Sequence, residues 1–124
     1  MASNTGELKQ EILKVYNVIN KNIFNTGVRH QHVDFVGNKI IIVSANTRVP
    51  MLRLLNSDYP DSTNYFDYLL SQTFKKQIKA ELEKHFKFNI ITVFKDYDKS
   101  TEYSGTVIFL DRDVESYLKE PLEL

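Results

Sequence analysis

A chain of 124 residues, 42% hydrophobic and 12% aromatic, can bury the core of one domain without disulfides or a metal staple. Its 16 basic and 16 acidic side chains cancel, so the electrostatic footprint of a general nucleic-acid binder is missing. The absence of cysteine excludes thiol catalysis, Cys-ligated zinc and a disulfide scaffold.

The opening MASNTGELKQEIL has no charged stretch leading into an apolar run and a small-residue cleavage site, so it does not read as a secretory signal. Residues 1–5 are expected to fray. A first amphipathic helix is predicted from near Thr5 to Glu7, with Leu8, Ile12, Val15, Tyr16, Ile19 and Ile23 at steps of three and four, ending at Gly27. VRHQHVDF and KIIIVSA then read as two strands separated by Val36, Gly37 and Asn38, whose glycine and asparagine suit a tight hairpin turn. The longest aliphatic run, Ile40 to Val43, is far short of the roughly 20 residues that span a bilayer.

Pro50 pushes Val49 out of helix, and Met51 to Leu55 is predicted as a short helical turn before Pro60. Asp61 or Ser62 is expected to cap a long helix running to about His85. Its apolar residues Phe66, Leu70, Phe74, Ile78, Leu82 and Phe86 recur at steps of four only. At about 100° per residue such a stripe drifts by roughly 40° per step, so its two ends face different partners. Either the helix kinks, or its N-terminal half packs on something other than the sheet, such as a second subunit. Tyr65, Phe66, Tyr68 and Leu69 are the candidate dimer face.

Lys87 to Lys95 and Gly105 to Leu110 are expected to form a second hairpin around a polar loop, followed by a short helix over Val114 to Leu118. The order α-β-β-α-β-β-α predicts an α+β two-layer sandwich: an antiparallel four-stranded sheet from two hairpins, with the helices on one face. The whole chain, 1–124, reads as a single domain.

The polar loop holds Asp96, Asp98, Thr101 and Glu102. A calcium loop counted from Asp96 fails at its sixth and twelfth positions, which are Thr101 and Val107. A general acid/base pair needs a cleft and split pKa values, whereas a solvated hairpin connection has this same composition. His30, His32 and Asp34 alternate along one strand and leave the same face, the pattern of a His-x-His metal site; a half-exposed strand gives it too. Gly6, Gly27, Gly37 and Gly105 stand alone, so no nucleophile elbow, phosphate loop or dinucleotide fingerprint is present, and no catalytic residue or cofactor is assigned. The basic stretch Lys75, Lys76, Lys79, Lys84 and Lys87 is interrupted by Glu81 and Glu83, as on a solvated helix face.

Two segments, GVRHQHVDFVGNKIIIVSANTRVPMLRLL and FKKQIKAELEKHFKFNIITVFKDYDKSTEYSGTVIFL, together resemble the MpsC-like family, named after a component of a cation-translocating, membrane-potential-generating system. The resemblance runs roughly from Tyr16 to Leu110 and includes the hairpin signature Val93, Asp96, Asp98, Thr101, Glu102. Where members often carry G-K-G-P before the first strand, this chain has Asn25, Thr26, Gly27 and Val28. The resemblance implies a soluble, cytoplasmic bacterial protein acting beside an integral membrane partner in ion or inorganic-carbon uptake, and it supplies no catalytic residues.

The leading expectation is a non-enzymatic accessory or regulatory protein, a homodimer working by protein contact. Asp96, Asp98, Thr101, Glu102, Arg48 and Arg53 are the candidate partner or ligand contacts. The alternative is a small-ligand or metal sensor using the His30, His32, Asp34 face or the acidic loop. An RNA-binding α+β module is the lesser one.

Overall fold

The computed structural model describes residues 3–118. Its elements are α1 (Thr5–Phe24), β1 (Val28–Val36), β2 (Lys39–Asn46), α2 (Pro50–Leu55), α3 (Pro60–Phe86), β3 (Ile90–Asp98), β4 (Tyr103–Leu110) and a final 3-10 turn, Val114–Tyr117. The four strands form one antiparallel sheet in the order β1-β2-β4-β3, so the second strand of each hairpin lies at the centre. This is the expected α+β sandwich, with α1 lying over β1, α3 over β3, and the two helices against each other.

Each helix forms for local reasons. Asn4 accepts the Glu7 amide at 2.9 Å as N-cap, and Ser3 donates from its amide and hydroxyl to the Glu7 carboxylate. Ser3 to Thr5 are therefore the cap and first turn, not part of a frayed start; residues 1 and 2 of that expectation lie outside the described residues. α1 buries Leu8, Ile12, Tyr16 and Ile19 but ends at Phe24, ahead of the expected Gly27, because Asn25 takes the left-handed conformation (φ 54°) and returns its amide to Lys21. Asparagine tolerates that region better than most residues, which the choice of glycine as terminator overlooked.

α3 starts at Pro60 and not after a cap at Asp61 or Ser62. Proline has its φ preset for a first helical turn and lacks a donor that would be orphaned there, so here it begins a helix. The helix runs 27 residues, roughly 40 Å, with no break where the stripe drifts. The drift resolves the other way: Phe74, Ile78, Leu82 and Phe86 are buried in the core, while Phe66 is 50% exposed and the N-terminal half meets α2 instead. α3 stops at Phe86, with Lys87 left-handed (φ 57°) and bonded back to Glu83.

The core lies between the helices and one sheet face, where Val33, Ile40, Ile42, Val93, Ile108 and Leu110 meet the two helical stripes. The 3-10 turn closes one end, Tyr117 packing edge-on against Phe88 with centroids 4.9 Å apart. The first hairpin turns at Gly37 (φ 60°) as expected. In the second, β3 begins at Ile90, since Lys87 is still the helix cap. It continues to Asp98, and β4 starts already at Tyr103, so the turn is far shorter than expected and Asp96 and Asp98 are strand residues. The other sheet face is uncovered and largely apolar. Val36, Val43, Phe94 and Tyr103 are exposed on it beside half-buried Ile41, Val107 and Phe109.

Lys87 is exposed and pays for a left-handed backbone that glycine adopts freely. Lys87→Gly is expected to raise stability by up to about 1 kcal/mol, read as a higher urea midpoint at unchanged m-value. A lowered midpoint would show that the cap is not strained.

Candidate functional site

The acidic residues of the second hairpin separate into different roles. Asp98 organises the turn, accepting from Ser100 (amide 3.2 Å, hydroxyl 2.9 Å) and Thr101 (hydroxyl 2.9 Å). The Thr101 and Ser100 hydrogen bonds hold its carboxyl below the usual range. Asp96 is exposed and accepts the amide of Tyr97. Glu102 sits at φ 62° and reaches across the chain: Oε2 accepts the Arg48 amide at 2.8 Å, and Oε1 lies 3.3 Å from the Arg29 guanidinium. Its carbonyl accepts the Asn46 amide. Glu102 thus fastens the end of β2 and the edge of β1 to this turn.

Arg48 is buried and anchors the same corner. Its guanidinium grips Asp67 of α3 through two bonds, 2.6 and 3.3 Å, and donates to Asn56 Oδ1 at 2.8 Å. Asn56 also accepts from Thr63 and Lys99. Tyr97 donates to the Asn46 carbonyl, and burial together with the negative charges of Glu102 and Asp67 pushes its phenol up to about 12. Arg53 borders a shallow hollow beside Arg48, Lys99 and Glu102 without joining the network.

His30, His32 and Asp34 do share the open sheet face. His32 Nε2 is 3.1 Å from Asp34 Oδ1, but both side chains are mostly exposed, and no three His, Asp or Glu side chains among the described residues converge on a metal position. Tyr65, Phe66, Tyr68 and Leu69 form an exposed ridge on α3, with Tyr65 and Tyr68 stacked at 6.3 Å.

A polar cluster that the sequence reading did not single out lies at the sheet's centre. Tyr16 of α1, Ser44 of β2, Ser104 of β4 and Lys95 of β3 point into one place. Tyr16 Oη to Ser44 Oγ and Ser44 Oγ to Ser104 Oγ are each 2.8 Å. Lys95 donates to Tyr16 Oη at 3.3 Å and Ser104 Oγ at 3.4 Å, with its ammonium 4.1 Å from the Phe74 ring centroid and 5.4 Å from that of Tyr16. Such a ring environment offsets part of the cost of burying the cation. Burial lowers the Lys95 pKa, only partly offset by Tyr16. Burial alone would raise the Tyr16 phenol, but the Lys95 charge and the hydrogen bonds from Ser104, Ser44 and Lys95 outweigh it and bring it down. Lys95 also lines a cleft of about 440 Å³ between α3 and the free edge of β3.

The signal for this cluster was parity. The inward rows Ile40-Ile42-Ser44-Asn46, Leu110-Ile108-Thr106-Ser104 and Val93-Lys95-Tyr97 each turn from apolar to polar, and the register aligns their polar ends.

Removing the partner of a buried guanidinium leaves an uncompensated charge, so Asp67→Ala is expected to cost about 3 kcal/mol or more in urea unfolding. A loss below about 1 kcal/mol would reduce the network to a surface pair. Lys95 and Tyr16 both release protons more readily when folded. The unfolded chain therefore binds more protons up to the ordinary values of 10.0 for Tyr and 10.5 for Lys, and stability rises with pH through the window below them. Tyr97 acts oppositely, but only above 10.0, as its stabilising protonation is lost toward about 12. Denaturation midpoints followed through the alkaline range are expected to show the rise in the native chain and not in Lys95→Met; parallel curves would contradict it.

Comparison with curated proteins and with solved structures finds no match. The family described as Na+-translocating membrane potential-generating system (MpsC) matches residues 4–112, which take in α1, the whole sheet, the Arg48 network and the Lys95 cluster. The chain belongs to the MpsC family.

Proposed function

We propose that this protein is a non-enzymatic accessory or regulatory component of a bacterial cation- or inorganic-carbon-translocating membrane system, working in the cytoplasm by protein contact. The family description names a membrane potential-generating system, and no helix among the described residues is long and apolar enough to cross a membrane. A role beside such a system then requires surfaces that bind other proteins.

The observation that carries the reading is that apolar side chains are exposed on both layers of the sandwich. On the helical layer, Tyr65, Phe66, Tyr68 and Leu69 of α3 are exposed, as are Met51 and Leu54 of α2, the helix that packs on α3. On the other layer the open sheet face presents Val43, Phe94 and Tyr103. Exposed aromatics grouped on a rigid element are the composition of a contact surface. In this reading the α3 ridge joins two copies and the sheet face meets the membrane partner. Arg48 and Glu102 act by shaping the corner that carries the ridge, not as contact residues.

The native chain is expected to sediment as a dimer, and Phe66→Glu/Leu69→Glu as a monomer with unchanged circular dichroism. Affinity purification from detergent-solubilised cells of the native host, with mass spectrometry, is expected to recover a polytopic membrane protein that Val43→Glu/Phe94→Glu loses. A monomeric native chain would remove the dimer, and recovery of the same membrane protein by the sheet-face variant would remove that face as its contact.

A further inference from the structure

Arg48 has Asp67, Arg29 has Glu102, and His32 and His85 each have a carboxylate. Lys95, with its ammonium among Tyr16, Phe24 and Phe74, has none among the described residues. A lysine ammonium has three donors, and two of these meet Tyr16 and Ser104. The third has no acceptor among the described residues, and Lys95 borders the 440 Å³ cleft, a volume in the range of small-ligand sites.

The charges around the cleft are unevenly committed. Of its carboxylates, Asp67 is held by Arg48, Asp98 by Ser100 and Thr101, and Asp96 accepts the Tyr97 amide. Of its lysines, Lys99 donates to Asn56 and Asn64, whereas Lys75 has neither an ion pair nor a hydrogen bond among the described residues. Among the described residues neither Lys75 nor Lys95 is paired with a carboxylate, and Asp96 and Asp98, though charged, leave β3 by strand parity on the face opposite Lys95, so the inner side of the cleft has a place for negative charge.

We propose that the cleft between α3 and β3 binds a small oxyanion, a phosphate or carboxylate group held by Lys95 at its base and Lys75 at its rim. The hydroxyl chain Tyr16–Ser44–Ser104 holds the Lys95 ammonium in position from behind, so Tyr16 is a positioning residue. The lowered pKa of Lys95 is the cost of keeping this cation ready, and a bound anion would reverse it. The site borders the α3 ridge at Tyr68, but Phe66, Leu69, Val43 and Phe94, the positions changed to test the contact surfaces, do not line it.

The test is thermal denaturation and titration calorimetry with inorganic phosphate and with citrate, against sodium chloride at matched ionic strength, and co-sedimentation with phosphatidylglycerol vesicles. The expected result is a saturable stabilisation by phosphate or citrate absent with chloride, with affinity about tenfold or more weaker in Lys95→Met and in Lys75→Ala. Sedimentation with vesicles that is lost in the same two variants assigns the oxyanion to a lipid headgroup and also supports the site. Lys75→Ala changes a residue outside the core, so its result stands even if Lys95→Met is poorly folded. No response to any of the three probes, or a response undiminished in both variants, overturns the proposal. The Phe66→Glu/Leu69→Glu protein is expected to bind as the native chain does, which separates failure of this site from failure of the contact reading.

Discussion

Burial of the Arg48 guanidinium is the constraint around which one whole corner of the molecule is arranged. A buried cation must be paired and hydrogen-bonded, and here its partners come from α3, from the α2–α3 connection and, through its own amide, from the β3–β4 turn. Asp67 serves Arg48 from α3 and also forms part of the cleft wall, so one carboxylate belongs both to this corner and to the cleft. Tyr65, Phe66, Tyr68 and Leu69 beside it stay outside the core.

The polar signature of the second hairpin, Asp96, Asp98, Thr101 and Glu102, is accordingly architectural in three of its four members. Asp98 and Thr101 make the turn, and Glu102 ties it to Arg48 and Arg29. Only Asp96 stays solvated on the strand without a distant partner. A carboxylate at a left-handed position, clamped between two arginine contacts, is placed to hold a loop and not to titrate beside a substrate.

The helical stripes, the Gly37 turn and the sandwich class were legible because each depends on residues within a few positions of one another. The drifting stripe of α3 was legible as a conflict between its ends, though not as to what would meet the N-terminal half; that required the Arg48–Asp67 pair, 19 residues apart. The start of α3 was misread because proline carries opposite meanings inside a helix and at its first turn. The Lys95 cluster was not read at all. Its members lie up to 88 positions apart, and they meet only once the β2–β4 and β3–β4 pairings and the packing of α1 bring them together. Local composition around Lys95, in the run FKDYDK, is that of an exposed strand end, and nothing short of the sheet register reveals that Lys95 faces inward while Phe94 and Asp96 face out.

The strand order has one more effect. Placing β2 and β4 at the centre makes β1 and β3 the two free edges, and these carry Arg29, His32 and Asp34 on one side and Lys95, Asp96 and Asp98 on the other. Charged side chains along a strand edge oppose the addition of another strand. An apolar sheet face bounded by such edges can be covered from above but resists being lengthened sideways. Association through it therefore ends in a closed, countable complex instead of a continuing ribbon.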